Sequence, residues 1–389
     1  MHPLWRRGFR PFFMAAALYA GFVVPVWTAV WRGWLPATAW LAPSLWHAHE
    51  MLFGFAAAAV AGFLLTSSPV WTGRPALAGR PLMALAALWA AGRAAMLAPG
   101  ALPVWLVAVI DVAFLPALAL VLARTVWGTG QRRNYGVVAV VGVLAVANAA
   151  AHAQALGLCN GSAPRALRFA VDLIVVLIVV IGGRITPPFT ANALRHLGIE
   201  APVRQPRWVG PLAITAVVLV AVADLLAPRS FVSGAAACVA GAAVAARMAG
   251  WQTLRTWRDP LVWSLHAGMA WVAAGLLLVG VGDLGQTIVP TAGLHALTAG
   301  AMGSMILAVM TRVPLGHTGR PLILPRGAAV SYALVHAGAV ARVATGLAGG
   351  TLQGTLLLIA GVLWAAAFWL FAALYAPILT RARVDGKDG

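Results

Sequence analysis

The sequence predicts an all-α integral membrane protein: a single polytopic bundle of about twelve transmembrane helices, forming one domain over residues 1–389, with both termini cytoplasmic. Three observations carry that prediction. Of the 389 residues, 62% are apolar and only 9% charged, whereas about a quarter of a soluble domain is charged. The apolar residues fall into a dozen runs, each near the roughly 20 residues that cross a bilayer core of about 30 Å. The cations alternate sides. Of the 27 Lys and Arg, Arg93 and Arg342 lie inside runs, Arg32, Arg165, Arg168 and Arg229 lie in the segments on one side, and the remaining twenty-one lie on the other. Cytoplasmic loops hold the excess of Lys and Arg, so the N-terminus is inside. One span missed or invented midway would abolish the asymmetry.

Cutting at Pro, Gly and Arg clusters places the spans near 11–31, 45–66, 81–98, 102–123, 136–157, 165–185, 210–227, 230–248, 260–281, 293–312, 327–347 and 353–377. The first follows Arg6, Arg7 and Arg10, and its apolar run is too long for a cleaved leader. The second opens on Trp46-His47-Ala48-His49-Glu50-Met51 and carries Gly54 and Gly62, small residues that let helices approach. The third and fourth form a tight hairpin around Pro99 to Pro103. Arg93 and Asp111 sit at similar depth on its two arms, which predicts a buried ion pair. The fifth carries Asn148 and, one turn on, His152. On the sixth, Arg168 and Asp172 are four apart on one face and can pair locally. The sixth ends before Pro187 and Pro188, leaving 186–209 as the longest connection, a basic cytoplasmic loop. The seventh holds Asp224, the eighth is Ala-rich, and the ninth, tenth and eleventh carry His266, His295 and His336. His317 lies in an inner loop that reads as structural or anion-binding. Cys159 and Cys238 are far apart and suggest neither a disulfide framework nor a thiolate metal site.

The formal charge of +18 would ordinarily suggest nucleic acid. Here the arginines punctuate apolar runs, so the lipid bilayer is the partner and nucleic acid is not. The phosphate-loop, Rossmann, covalent-haem and His-Glu-x-x-His patterns are all missing, which removes support for nucleotide-driven pumping and zinc proteolysis.

An ionisable side chain in hydrocarbon is a functional hypothesis by default. Depth along the alternating spans puts His47, His49, Glu50, Arg93, Asp111, His152, Asp172, Asp224, His295 and Arg342 in the outer half, His336 near the middle and His266 nearer the cytoplasm. A polar centre in the outer half follows. Neutral imidazole is the usual nitrogen ligand of haem iron, copper and zinc. Residues two apart on an α-helix lie about 200° around its axis, so His47 and His49 face opposite sides, do not easily share one metal, and could serve two centres flanking the helix. Glu50 and Met51 share the face of His47, where Glu50 can orient an imidazole or relay protons. His295 is placed to meet the second span. A different class also fits these residues: a proton- or metal-coupled transporter using His47, Glu50, Asp111, Asp172, Asp224 and His295 as a relay.

Several strings recur together in order: Gly8-Phe9-Arg10-Pro11-Phe12-Phe13, Trp46 to Gly54, Trp71-Thr72-Gly73-Arg74-Pro75, Asn148 with His152, Gly182-Gly183-Arg184 with Pro187, Phe189, Thr190 and Asn192, Trp263 with His266, and His295 through Met302 to Gly316-His317-Thr318-Gly319-Arg320-Pro321. With this order and spacing the chain resembles the NnrS family of bacterial membrane proteins, which are associated with the nitric oxide response. The resemblance implies haem, with copper as a second metal, in the cytoplasmic (inner) membrane, and nitric oxide as the small-molecule ligand. It implies cofactor-binding imidazoles at His47, His49, His266, His295 and His152. The candidate metal-ligating set is His47, His49, His266, His295 and His336, with Glu50 supporting. Val70 and Met269 stand where the family pattern suggests Asn and Tyr. No reaction and no electron donor follow from the sequence.

Overall fold

The computed structural model describes residues 1–36, 41–98, 100–285 and 290–387. Among these, twelve long helices follow one another: α1 (Phe9–Trp31), α2 (Pro43–Thr72), α3 (Arg80–Leu97), α4 (Val104–Val126), α5 (Arg132–Ala155), α6 (Ser162–His196), α7 (Val209–Leu226), α8 (Phe231–Met248), α9 (Pro260–Gly285), α10 (Thr291–His317), α11 (Ala328–Thr345) and α12 (Gly350–Thr380). Eleven are long and apolar enough to cross a membrane by length and composition. The other, α3, carries Arg80 and Arg93 and answers to the third predicted span. No strand occurs among the described residues. The fold is therefore an all-α, multi-pass membrane protein. The turn between α3 and α4 is the expected hairpin, although Pro99 within it lies outside the described residues.

Three local features differ from regular helix and matter for the site. In α2 the α-helix ends at His49 and a π-helix runs over Glu50–Ala56. In α10 a second π-helix runs over Ala296–Met302, directly after His295. Single π-turns inside α-helices are rare and frequent at functional sites. The third feature is the break of α4 at Ala113. Pro116 has no N–H to give the Val112 carbonyl, so the ladder opens just beyond Asp111.

Pro187 and Pro188 do not end α6, which continues to His196 and shortens the expected cytoplasmic loop to 197–208. Prolines are tolerated in membrane helices because neighbouring groups re-satisfy the freed carbonyls. Gly183 adds a second reason for this stretch of sequence. Its missing side chain makes room for the guanidinium of Arg247, which is buried and donates from Nη1 to the Val179 carbonyl at 2.9 Å.

The chain divides into two compact units, Met1–Ala170 with Met310–Ile323 and Phe368–Gly389, and Val171–Val309 with Leu324–Ala367. In the first, Phe12 and Phe13 of α1 lie over Gly62 of α2, and Trp369 donates to the Gly21 carbonyl at 3.0 Å. The Gly8 to Phe13 string is structural here. Arg10 is fully buried, and its Nη1 caps the end of α12 on the carbonyls of Leu379 at 2.9 Å and Arg381 at 2.7 Å, while the Phe9 N–H donates to Thr66. The loop after His317 holds the C-terminal tail through Arg383 on the His317 carbonyl. In the second unit, α9 and α10 run antiparallel at close range, with Gly275 against Leu297 and Gly268 against Met305.

Candidate metal centre

The first unit contains a closed cluster of polar side chains drawn from five helices. His49 and Glu50 come from α2, Arg93 from α3, Asp111 from α4, Asn148 and His152 from α5, and Tyr19 from α1. His49 and Glu50 are 0% exposed, and Asp111 and His152 are 2% exposed. Two glycines allow the approach. A Cβ on Gly92 would lie 3.2 Å from both Cα and Oδ1 of Asp111, and one on Gly54 would strike the Tyr19 ring and lie 3.2 Å from Arg93 Cδ. The Gly54 carbonyl accepts from Trp89 Nε1 at 3.0 Å, and Trp46 Nε1 donates to the Met96 carbonyl at 3.2 Å, so α2 and α3 are pinned in register.

The expected Arg93–Asp111 pair is present between Nη2 and Oδ1. It is also larger than expected, because Arg93 Nη1 reaches Glu50 Oε1 at 2.7 Å. One buried cation thus serves two buried carboxylates. The Tyr19 hydroxyl donates to the other Glu50 oxygen, Oε2. Glu50 does not join His47, as an ideal α-helix from 46 onward would have it. Its Oε1 lies 2.9 Å from Nδ1 of the adjacent His49. Its partners on other helices, Arg93 of α3 and Tyr19 of α1, hold the carboxylate on that side.

On the far side of the His49 ring, Nε2 lies 2.8 Å from Asn148 Oδ1 and 3.2 Å from Asp111 Oδ2. Asp111 Oδ2 also accepts from Asn148 Nδ2 at 2.9 Å and meets His152 Nε2 at 2.8 Å. One ligand atom each from His49, Asp111 and His152 lie within 4.8 Å of one another, the spacing a single metal ion requires. The ring centroids of His49 and His152 are 5.1 Å apart at 78°. This enclosed, edge-to-face arrangement around one carboxylate oxygen suits an ion and leaves no slot for a porphyrin.

The remaining candidates lie elsewhere. His47 faces away from the cluster, as the 200° offset predicts, and stacks on Trp27 with centroids 4.8 Å apart. His266, His295 and His336 belong to the second unit. His266 Nε2 meets Thr190 at 2.8 Å and Nδ1 meets Thr253 at 3.0 Å. Thr190 already donates to the Thr186 carbonyl, so its oxygen accepts from His266, and both ring nitrogens are satisfied. His266 also borders a groove of about 380 Å³ walled by Trp257, Trp263, Leu254 and Ala270. His336 accepts from Trp271 Nε1 at 3.0 Å. His295 Nδ1 donates to the Thr291 carbonyl at 2.7 Å, which makes Nε2 the lone-pair nitrogen, the tautomer metal ligands use. His266 and His295 do not come together. With Gly275 opposite Leu297 and Gly293 opposite Val279, His295 falls level with residue 277, roughly 16 Å along the axis from His266 at 1.5 Å per residue.

Fold and centre together define a class: a multi-pass helical membrane protein with a buried histidine–carboxylate cluster. The sequence profile of the family described as NnrS protein matches residues 3–383. The chain belongs to the NnrS family, membrane proteins of the nitric oxide response. A comparison with curated proteins finds no match.

Proposed function

We propose that this chain is a haem-containing protein of the bacterial cytoplasmic membrane, with copper as its second metal, that contributes to tolerance of nitric oxide and nitrosative stress. The haem rests on membership of the family, and the observation that supports the second metal is the buried His49–Asp111–His152 cluster. Buried charges are retained where they pair or hold a metal, and these three side chains come from three helices, α2, α4 and α5.

The donor sets separate the two cofactors. The enclosure of the cluster around one carboxylate oxygen supports an ion there. A haem is assigned to His295 of the second unit, whose Nδ1 donates to the Thr291 carbonyl, while His266, with both ring nitrogens on threonine hydroxyls, borders a separate Trp-walled groove. Bound there, haem would supply an iron that takes a diatomic gas. The protein's part is to fix the His295 ring through Nδ1 on the Thr291 carbonyl, to exclude water with apolar helices, and to offer nitric oxide a route through lipid at little desolvation cost.

The continuous Glu50–Arg93–Asp111 network supports a second reading, a proton- or metal-coupled transporter in which these groups form a relay. An absorption spectrum of the detergent-purified protein, oxidised and dithionite-reduced, with and without nitric oxide, decides between them. A Soret band that moves on adding nitric oxide is the expected result. A colourless protein from cells supplied with haem and copper would discard the haem reading and favour the relay.

A further inference from the structure

We propose that His49 Nε2, Asp111 and His152 Nε2 bind one non-haem transition-metal ion, with Glu50 as the group that sets the His49 ring for it. This deepens the functional reading above and rests on it only in trying copper first.

The argument starts from the donors and acceptors around His49. Asn148 is oriented by its own amide, since Nδ2 donates to Asp111 Oδ2, so Oδ1 is what faces His49. Glu50 Oε1 faces Nδ1. A neutral imidazole has one N–H. Given to Glu50, it leaves the Nε2 lone pair aimed at two oxygens, Asn148 Oδ1 at 2.8 Å and Asp111 Oδ2 at 3.2 Å. A cation at Nε2 converts that contact into coordination. Charge points the same way. With neutral imidazoles, Glu50 and Asp111 outnumber Arg93 by one negative charge in a site almost wholly closed to solvent.

The metrics need little movement. Bonds of about 2.0–2.2 Å put tetrahedral donors roughly 3.3–3.6 Å apart. The present gaps between Asp111 Oδ2 and the two imidazole nitrogens are 3.2 and 2.8 Å, so the donors open by roughly 0.1–0.8 Å to admit an ion. Asn148 Oδ1 or a water completes the shell. A carboxylate holding the distal nitrogen of a ligating imidazole is the usual outer partner of such sites, and the Glu50–His49 contact has that form. Two imidazoles and a carboxylate suit zinc, copper or iron, not magnesium or calcium.

The competing account is a closed ionic knot, in which a second proton on His49 fills the place of the ion. Full-length protein stripped with a chelator is titrated with Cu(II) alone and with Zn(II) alone. Metal per chain is measured by elemental analysis, and the copper form by electron paramagnetic resonance. One tightly held ion per chain, with nitrogen couplings from two imidazoles, is expected in the wild type. Asp111→Asn and His152→Ala should lose it, and Glu50→Gln should weaken it about 10–100-fold. His152→Cys, which keeps a ligand, should still hold zinc. The wild-type titration and resonance need no variant to fold. Wild type that takes up no copper or zinc, or uptake unchanged in both Asp111→Asn and His152→Ala, overturns the assignment. A Soret band that moves with nitric oxide, without this ion, would leave the haem reading standing and remove the site. The ion without a Soret band would do the reverse.

Discussion

At the scale of single residues, Arg93 decides the cost of the centre. Removing one partner of a buried ion pair costs about 3–5 kcal/mol, because the other charge is left uncompensated. Arg93 has two such partners, and Asp111 leaves Arg93 still paired with Glu50. Arg93→Met should therefore lower the melting temperature in detergent more than Asp111→Asn does, and Arg93→Ala with Asp111→Ala should be more abundant than Arg93→Ala alone. Equal shifts in the two single variants would mean that Glu50 does not share the cation. Gly92 makes a separate point about space. Valine there would press on Asp111, and overpacking costs about 1–3 kcal/mol, while Gly142→Val on α5, where nothing lies within 4 Å, should leave folded yield unchanged. Size-exclusion profiles of the two variants check this.

At the scale of elements, the end of α12 depends on a residue from the opposite end of the chain. Hydrogen bonds from a charged group are worth roughly 1.5–3 kcal/mol each, and Arg10 gives its Nη1 to the last carbonyls of α12. Arg10→Met should expose the tail to trypsin, read as faster cleavage after Arg381 and Arg383 with the rest of the chain still resistant. Beyond the helix, Arg383 bonds Asp385 at 2.8 and 2.5 Å and holds its carboxyl below the usual aspartate range. A carboxyl lowered in this way stabilises above its ordinary value and loses that contribution as pH falls through the lowered one. A spin label at Lys387→Cys should thus keep its mobility from about pH 8 to about pH 5 and loosen only in stronger acid. Loosening near neutral pH would show that the Arg383–Asp385 bond does not hold the tail.

At the scale of the whole molecule, the cation asymmetry makes a topological prediction. Cys159 is exposed in the connection between α5 and α6, on the side opposite the arginine-rich loops, and Cys238 is half-buried within α8. An impermeant maleimide added to intact cells should label Cys159 and spare Cys238. Labelling of Cys159 only after the membrane is opened would invert the orientation. The most deeply buried windows belong to α2, α6 and α10, and two of these three carry a histidine followed by a π-turn.

The number and order of the helices were legible in the sequence because a span must satisfy its own backbone and fill about 20 apolar residues, both of which are properties of a local stretch. Arg93 with Asp111 was legible too, since a short hairpin brings equal depths together. Asn148 and His152 carried a weaker signal, one turn apart on one face. Tyr19 carried none, being one of several aromatic residues on α1. What Glu50 faces was decided by Tyr19 of α1 and Arg93 of α3, partners from other helices that no local pattern names. Which imidazoles share a centre was decided by helix neighbours. The sequence by itself determined how many helices there are and where along its own helix each ionisable group sits. Only the tertiary structure decided that His49 and His152 meet on one carboxylate while His266 and His295 stay apart, because depth is a local coordinate and adjacency depends on packing between distant segments.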